Sequence, residues 1–80
     1  MQKQLTAVSE FHTSFGLGVS QTMKADLGEQ KNKLRFDLMK EENEEYLEAV
    51  QNNDIVEIAD ALGDMLYILC GTILEHGLQH

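Results

Sequence analysis

Eighty residues with a single cysteine and a formal net charge of -8 make one small domain that no internal disulfide can staple. All six basic residues (Lys3, Lys24, Lys31, Lys33, Arg35 and Lys40) precede Glu41, and residues 41–80 hold ten Asp or Glu with no Lys or Arg, which excludes the basic footprint of a nucleic-acid polymer binder. No apolar run approaches the roughly 20 residues of a membrane span and none follows Met1 as in a secretory leader, so a cytoplasmic domain without a membrane role is expected.

Taken in chain order, residues 2–15 read as a first helix, with Leu5, Val8, Phe11 (or His12) and Phe15 at helical spacing. Gly16-Leu17-Gly18 ends it. Residues 16–31 form a polar, irregular connection with a short helical turn expected around 22–27. A second helix covers 32–51, and Asn52-Asn53-Asp54 breaks it and supplies Asp54 as N-cap of a third helix over 54–75, stopped at His76-Gly77. No segment alternates with period two, so the expected class is all-α: a three-helix unit, one domain over 1–80. The third helix is apolar almost all round (Ile55, Val56, Ile58, Leu62, Met65, Leu66, Ile68, Leu69, Ile73, Leu74). Such a helix is buried on most sides. Three helices cannot cover it, which predicts a homodimer or homotetramer, or else a C-terminal segment beyond residue 80. Cys70, inside the apolar run, reads as a small core residue.

The acids divide by helical phase. At 100° per residue, the apolar arc of the second helix (Leu34, Leu38, Met39, Tyr46, Leu47, Ala49, Val50) contains Glu42 and Glu45 and has Glu41 on its edge, whereas Asp37, Lys40, Glu44 and Glu48 fall on the opposite, solvated face. On the third helix Glu57, Asp60 and Asp64 share one narrow stripe of an otherwise apolar surface. An isolated buried carboxylate costs several kcal/mol and would take up a proton. A convergent set without lysine partners therefore calls for a cation. The donors are all hard oxygens, which suits Mg2+ or Mn2+. Glu42 and Glu45 at i, i+3, and Asp60 and Asp64 at i, i+4, each stack on one helix face; a short turn that makes the two helices antiparallel would oppose the pairs. Glu57 has a competing role, because Asp54-x-x-Glu57 fits a capping box. His12, His76 and His80 read as surface or helix-end residues, and Phe11, Phe15 and Phe36 as core.

Glu41-Glu42-x-x-Glu45, about a dozen residues, then an acidic stripe ending in Leu62-Gly63-Asp64-Met65-Leu66-Tyr67 resembles the all-α nucleoside triphosphate pyrophosphohydrolase superfamily. That superfamily includes MazG-like proteins, dimeric dUTPases and phosphoribosyl-ATP pyrophosphohydrolases. The stretch Ile55-Val56-Glu57-Ile58-Ala59-Asp60-Ala61-Leu62-Gly63-Asp64, with Gly71-Thr72, Glu75-His76-Gly77 and the leading Glu10-Phe11-His12-x-x-Phe15-Gly16, is most similar to the last of these branches. The resemblance implies magnesium held by Glu41, Glu42, Glu45, Glu57, Asp60 and Asp64, and catalysis by Glu41 and Glu45, with Glu41 either a ligand or the base that orients water. Substrate binding would fall to Arg35, Lys24 and Tyr67, with Lys31 and Lys33 as further candidates for the phosphates. It implies hydrolysis of a nucleoside triphosphate to a monophosphate and pyrophosphate, for nucleotide house-cleaning or pool control. The alternatives are phosphoribosyl-ATP hydrolysis in histidine biosynthesis and a non-catalytic, metal-binding assembly module. One departure stands out: aligned on Asp64-Met65-Leu66-Tyr67, Ala61 occupies the place of the family's ExxD glutamate, and aligned on Glu57-x-x-Asp60 the motif shifts by one turn.

Overall fold

The computed structural model describes the backbone of residues 1–14 and 19–80 and the side chains of 1–10 and 19–80. The glycine stop at Gly16-Leu17-Gly18 and the side chains of Phe11, His12 and Phe15 lie outside the described residues. Three helices follow one another: α1 (Gln2–Ser14), α2 (Glu29–Gln51) and α3 (Ile55–His76). Among the described residues there is no strand. No helix is long and apolar enough to cross a membrane.

Helix α3 is the shared spine, since α1 and α2 each pack on it. Its start follows from local chemistry. The Asp54 carboxylate accepts the Glu57 backbone N–H at 3.1 Å, while the Asp54 N–H goes to the Ala49 carbonyl at 3.0 Å. Only the Asp54 half of the expected capping box therefore forms, and the Glu57 side chain is left for other work. At the other end Gly77 takes a left-handed conformation, φ 73°. Its N–H and that of Leu78 donate to Leu74 and Ile73, the paired reverse bonds that close a helix at glycine.

The core joins α1 to the last turns of α3: Leu5 and Val8 pack with Cys70 and Leu74, flanked by Val19 and Ile73. Cys70 is fully buried and free, as a small apolar residue would be. Residues 19–28 cross over α3's C-terminal end. The short helix expected at 22–27 is absent, because the backbone there bonds outward: Ser20 N–H to the Leu74 carbonyl and Lys24 N–H to that of His76, both at 2.9 Å. Asp26 then accepts from Gly28 N–H and from the Asn32 side chain, and Asn32 accepts the Leu27 N–H at 3.0 Å. This Asx-type knot starts α2 at Glu29, three residues before the expected position.

Much of the apolar surface stays uncovered. Ile55, Val56, Leu62, Leu66 and Leu69 on α3, with Leu34, Phe36, Leu47 and Val50 on α2, are all exposed. The arc read on α2 is thus wider than the face that α3 covers, and within that arc Ala49 is buried.

Candidate metal centre

Among the contacts that tie α2 to α3 are two polar ones. The Lys31 ammonium meets the Glu75 carboxylate at 3.2 Å, and Glu42 and Glu45 meet Asp64, with one oxygen from each within 4.8 Å of the others. Small residues allow the approach on the turn side of the acids, where Ala49 and Ala61 are both buried. The i, i+3 spacing of Glu42 and Glu45 puts their carboxylates over one turn of α2, opposite the single turn that carries Asp64.

The electrostatics of this trio are unfavourable by themselves. Glu42 is half-buried, and its Oε2 is shut from solvent without a hydrogen-bond partner. Burial pushes the Glu42 carboxyl above the ordinary glutamate range, and the adjoining Glu45, then Asp64 and Glu41, push it further the same way. An orphaned buried oxygen costs about 1–3 kcal/mol. Three hard oxygens this close, one lacking any donor, fit a divalent cation such as Mg2+ or Mn2+. The chemistry of the donors and the unmatched Glu42 oxygen are both what such an ion would need.

Beside the trio, towards the 52–54 turn, opens a cleft of about 660 Å3 lined by Glu45, Glu48, Ala49, Asn52, Asp54, Glu57, Asp60, Ala61 and Asp64. Glu57 and Asp60 line this cleft but are not among the three converging acids. Glu41 is exposed and acts on the trio through its charge on Glu42. Glu44 is exposed and pairs with Lys40 at 3.6 Å, as a solvated face requires. Glu48 keeps its expected solvated position and has a second one. It is exposed, and it also borders the cleft, which Ala49 and Ala61 line beside it.

The candidate substrate residues do not all converge. Lys24 lies over the far end of α3, its N–H and carbonyl bonded to His76. That is twelve residues, about 18 Å of helix, from Asp64. Lys31 is committed to Glu75 and Lys33 to Asp37, the latter at 2.6 Å. Tyr67 is exposed one turn beyond Asp64. Arg35 is half-buried, with its Nε shut from solvent and unpartnered. The buried Glu75, 8% exposed, was missed as a structural acid; its signal in the sequence was its place in the apolar stripe with Ile68, Gly71 and Leu74.

Comparison with known proteins gives a family. The model described as phosphoribosyl-ATP pyrophosphohydrolase matches residues 8–80. An uncharacterized protein of Acanthamoeba polyphaga mimivirus is 43% identical over 68 residues, covering 81% of this chain and 27% of that protein. The chain thus spans about a quarter of the length of this relative. No solved structure matches.

Proposed function

The chain belongs to the phosphoribosyl-ATP pyrophosphohydrolase family, and on that premise we propose that it is a magnesium-dependent pyrophosphohydrolase of nucleoside triphosphates, cutting between the α- and β-phosphates. The observation that carries this reading is the convergence of Glu42, Glu45 and Asp64 within 4.8 Å around an oxygen that has no partner. These three would hold the ion, with Glu57 and Asp60 the next acids within the cleft. The site sits on α2 and α3 as an antiparallel pair, the turn at 52–54 keeping the acids of both helices in step. A bound Mg2+ (or Mn2+) supplies charge neutralisation for the phosphates and a polarised water.

The chain's own residues do the rest. Glu41, exposed on the edge of the trio, is placed to accept a proton from an attacking water, a task that needs solvent access and a basic carboxylate. Glu45 holds its carboxylate between the trio and the cleft and so orients whatever lies in either. The cleft gives room for the nucleoside. Self-association, as a homodimer or homotetramer, belongs to this reading, with Ile55, Val56, Leu62 and Leu66 meeting a second copy in place of water.

Incubation of the chain with a panel of nucleoside triphosphates, deoxynucleoside triphosphates and phosphoribosyl-ATP, with and without Mg2+, tests the proposal through released pyrophosphate. Metal-dependent release that disappears in Glu42→Gln and Glu45→Gln is the expected result. A preference for phosphoribosyl-ATP would move the assignment to histidine biosynthesis. Mg2+ that raises the melting temperature with no release from any substrate would make the chain a metal-binding assembly module instead.

A further inference from the structure

The end of α2 carries two polar side chains to which the metal-centre reading gives no task. Glu45, Glu48, Ala49 and Asn52 stand at i, i+3, i+4 and i+7, one stripe of the helix, and all four line the cleft of about 660 Å3. Glu45 belongs also to the acidic trio, so the stripe begins at the metal centre. Glu48 lies about 4.5 Å and Asn52 about 10.5 Å further along the helix axis. The cleft has the volume of a small-molecule pocket.

Both side chains are open to a guest. Asn52 gives its backbone N–H to the Glu48 carbonyl at 2.9 Å. Among the described residues, its amide and the Glu48 carboxylate have no partner. On the other wall, Asp54 is occupied as the cap of α3, and Glu57 and Asp60 adjoin the metal-binding acids. The buried Ala49 and Ala61 add two methyl groups to the lining, an apolar surface for a flat ring. The lining residues include no Lys, Arg or His. Phosphate is therefore repelled from this end, and a neutral ring that offers N–H donors is favoured.

The donor pattern selects the ring. A carboxylate presents two acceptors side by side, and an amide beside it adds a donor. Of the four common bases, guanine alone carries a carbonyl followed by two adjacent N–H donors along one edge. Cytosine would set two acceptors against the carboxylate. Uracil offers a single N–H between two carbonyls, and adenine one amino group beside an acceptor.

We propose that Glu48 and Asn52 read the base of the substrate and that this base is guanine. The Glu48 carboxylate accepts from N1–H and the 2-amino group, and the Asn52 amide donates to O6. This rests on the nucleotide reading above and narrows its substrate class to guanine nucleotides. The α-phosphate then lies at Glu42, Glu45 and Asp64, and the base about two helical turns along α2 from them.

The test is a calorimetric titration of GMP, IMP, AMP and UMP at fixed Mg2+ into the wild-type chain, Glu48→Gln, Asn52→Ala and Glu44→Gln. Monophosphates carry the base and sugar but have no anhydride to cut. Wild type should bind GMP at least about tenfold more tightly than AMP or UMP, with IMP between, because inosine lacks the 2-amino group. Glu48→Gln should bring GMP down to the level of AMP and UMP and leave those two unchanged. Asn52→Ala should weaken GMP and IMP alike. Glu44→Gln, the same change of charge on the solvated face, should match wild type. The melting shift caused by Mg2+ alone should be nearly the same in all four, which separates loss of a base contact from damage to the metal site. A wild-type chain that does not prefer GMP, or that binds none of the four, overturns the proposal. So does a Glu48→Gln that keeps the preference, or that loses affinity equally for all four monophosphates, which would put Glu48 on the ribose. If Asn52→Ala does not fold, Glu48→Gln decides. Guanine-selective, Glu48-dependent binding without pyrophosphate release from any nucleotide would sink the hydrolase reading and leave this one standing.

Discussion

Replacing Glu42 with glutamine should change sign in its effect on stability according to whether magnesium is present. Without the ion, the native fold raises the Glu42 carboxyl above its ordinary range, through burial first and the neighbouring acids second. A raised carboxyl binds its proton more tightly in the folded than in the unfolded chain. The protonated form thus supports the fold at low pH, and that support is lost as pH climbs from the ordinary glutamate value through the raised one. Glutamine cannot lose it. At about pH 7 without metal, Glu42→Gln should therefore be more stable than wild type by about 1 kcal/mol, the low end of the cost of an orphaned buried oxygen, or roughly 4–8 °C for a domain this small. At about pH 4 the two should melt together. With Mg2+ at about a hundred times its dissociation constant, wild type gains about 2.7 kcal/mol, roughly 10–20 °C. If the variant binds the ion about a hundredfold more weakly, its gain falls to about 0.4 kcal/mol, roughly 2–3 °C. Thermal melts by circular dichroism at the two pH values, with chelator and with Mg2+, read all of this. A metal-free Glu42→Gln no more stable than wild type at neutral pH, or an undiminished magnesium shift, would refute the reasoning.

Three further outcomes are expected. Gly77→Ala should cost about 2–3 kcal/mol, because a left-handed alanine costs roughly 1–2 kcal/mol and its Cβ would overlap the Thr22 carbonyl; chemical denaturation checks it, and loss of the strap at 19–28 should show as faster hydrogen exchange at Ser20 and Lys24. Lys31→Ala should destabilise by about 1–2 kcal/mol, since it strands the buried Glu75, and the additional change Glu75→Gln should recover part of that loss. Asp54→Ala should cost about 1 kcal/mol through the lost cap of α3, with fraying at Val56 and Glu57 visible by NMR.

Helix number, the turn at 52–54, the Asp54 cap and the Gly77 stop were all legible, because each depends on neighbours within a turn of sequence. The pairing of Glu42 and Glu45 with Asp64 was legible too, through the phase of each helix against its apolar arc. What phase could not give was which apolar positions the partner helix covers: Leu47 and Val50 lie on the arc and remain exposed. Glu48 is exposed as its phase requires, but its place on the rim of the cleft was not legible, because that cleft is lined from both helices. The connection at 22–27 has helix-compatible residues, yet the Lys24 N–H, like that of Ser20 just before it, finds its acceptor on α3 some fifty positions away, and no local signal announces that. Glu75 and Lys31 carry the same lesson, being an ion pair between residues 44 apart.

Helix α3 divides its labour along its length. Its last turns hold α1 and the strap through Leu74, Cys70 and His76, while its first half holds the acids. The anchored end and the reactive end are one continuous rod, so the repulsion among three carboxylates is borne by a helix whose other half is clamped on two sides. A strained polar layer can persist in so small a domain because the leverage needed to splay it must come from α2, which grips that rod at Glu75 and at the acids themselves.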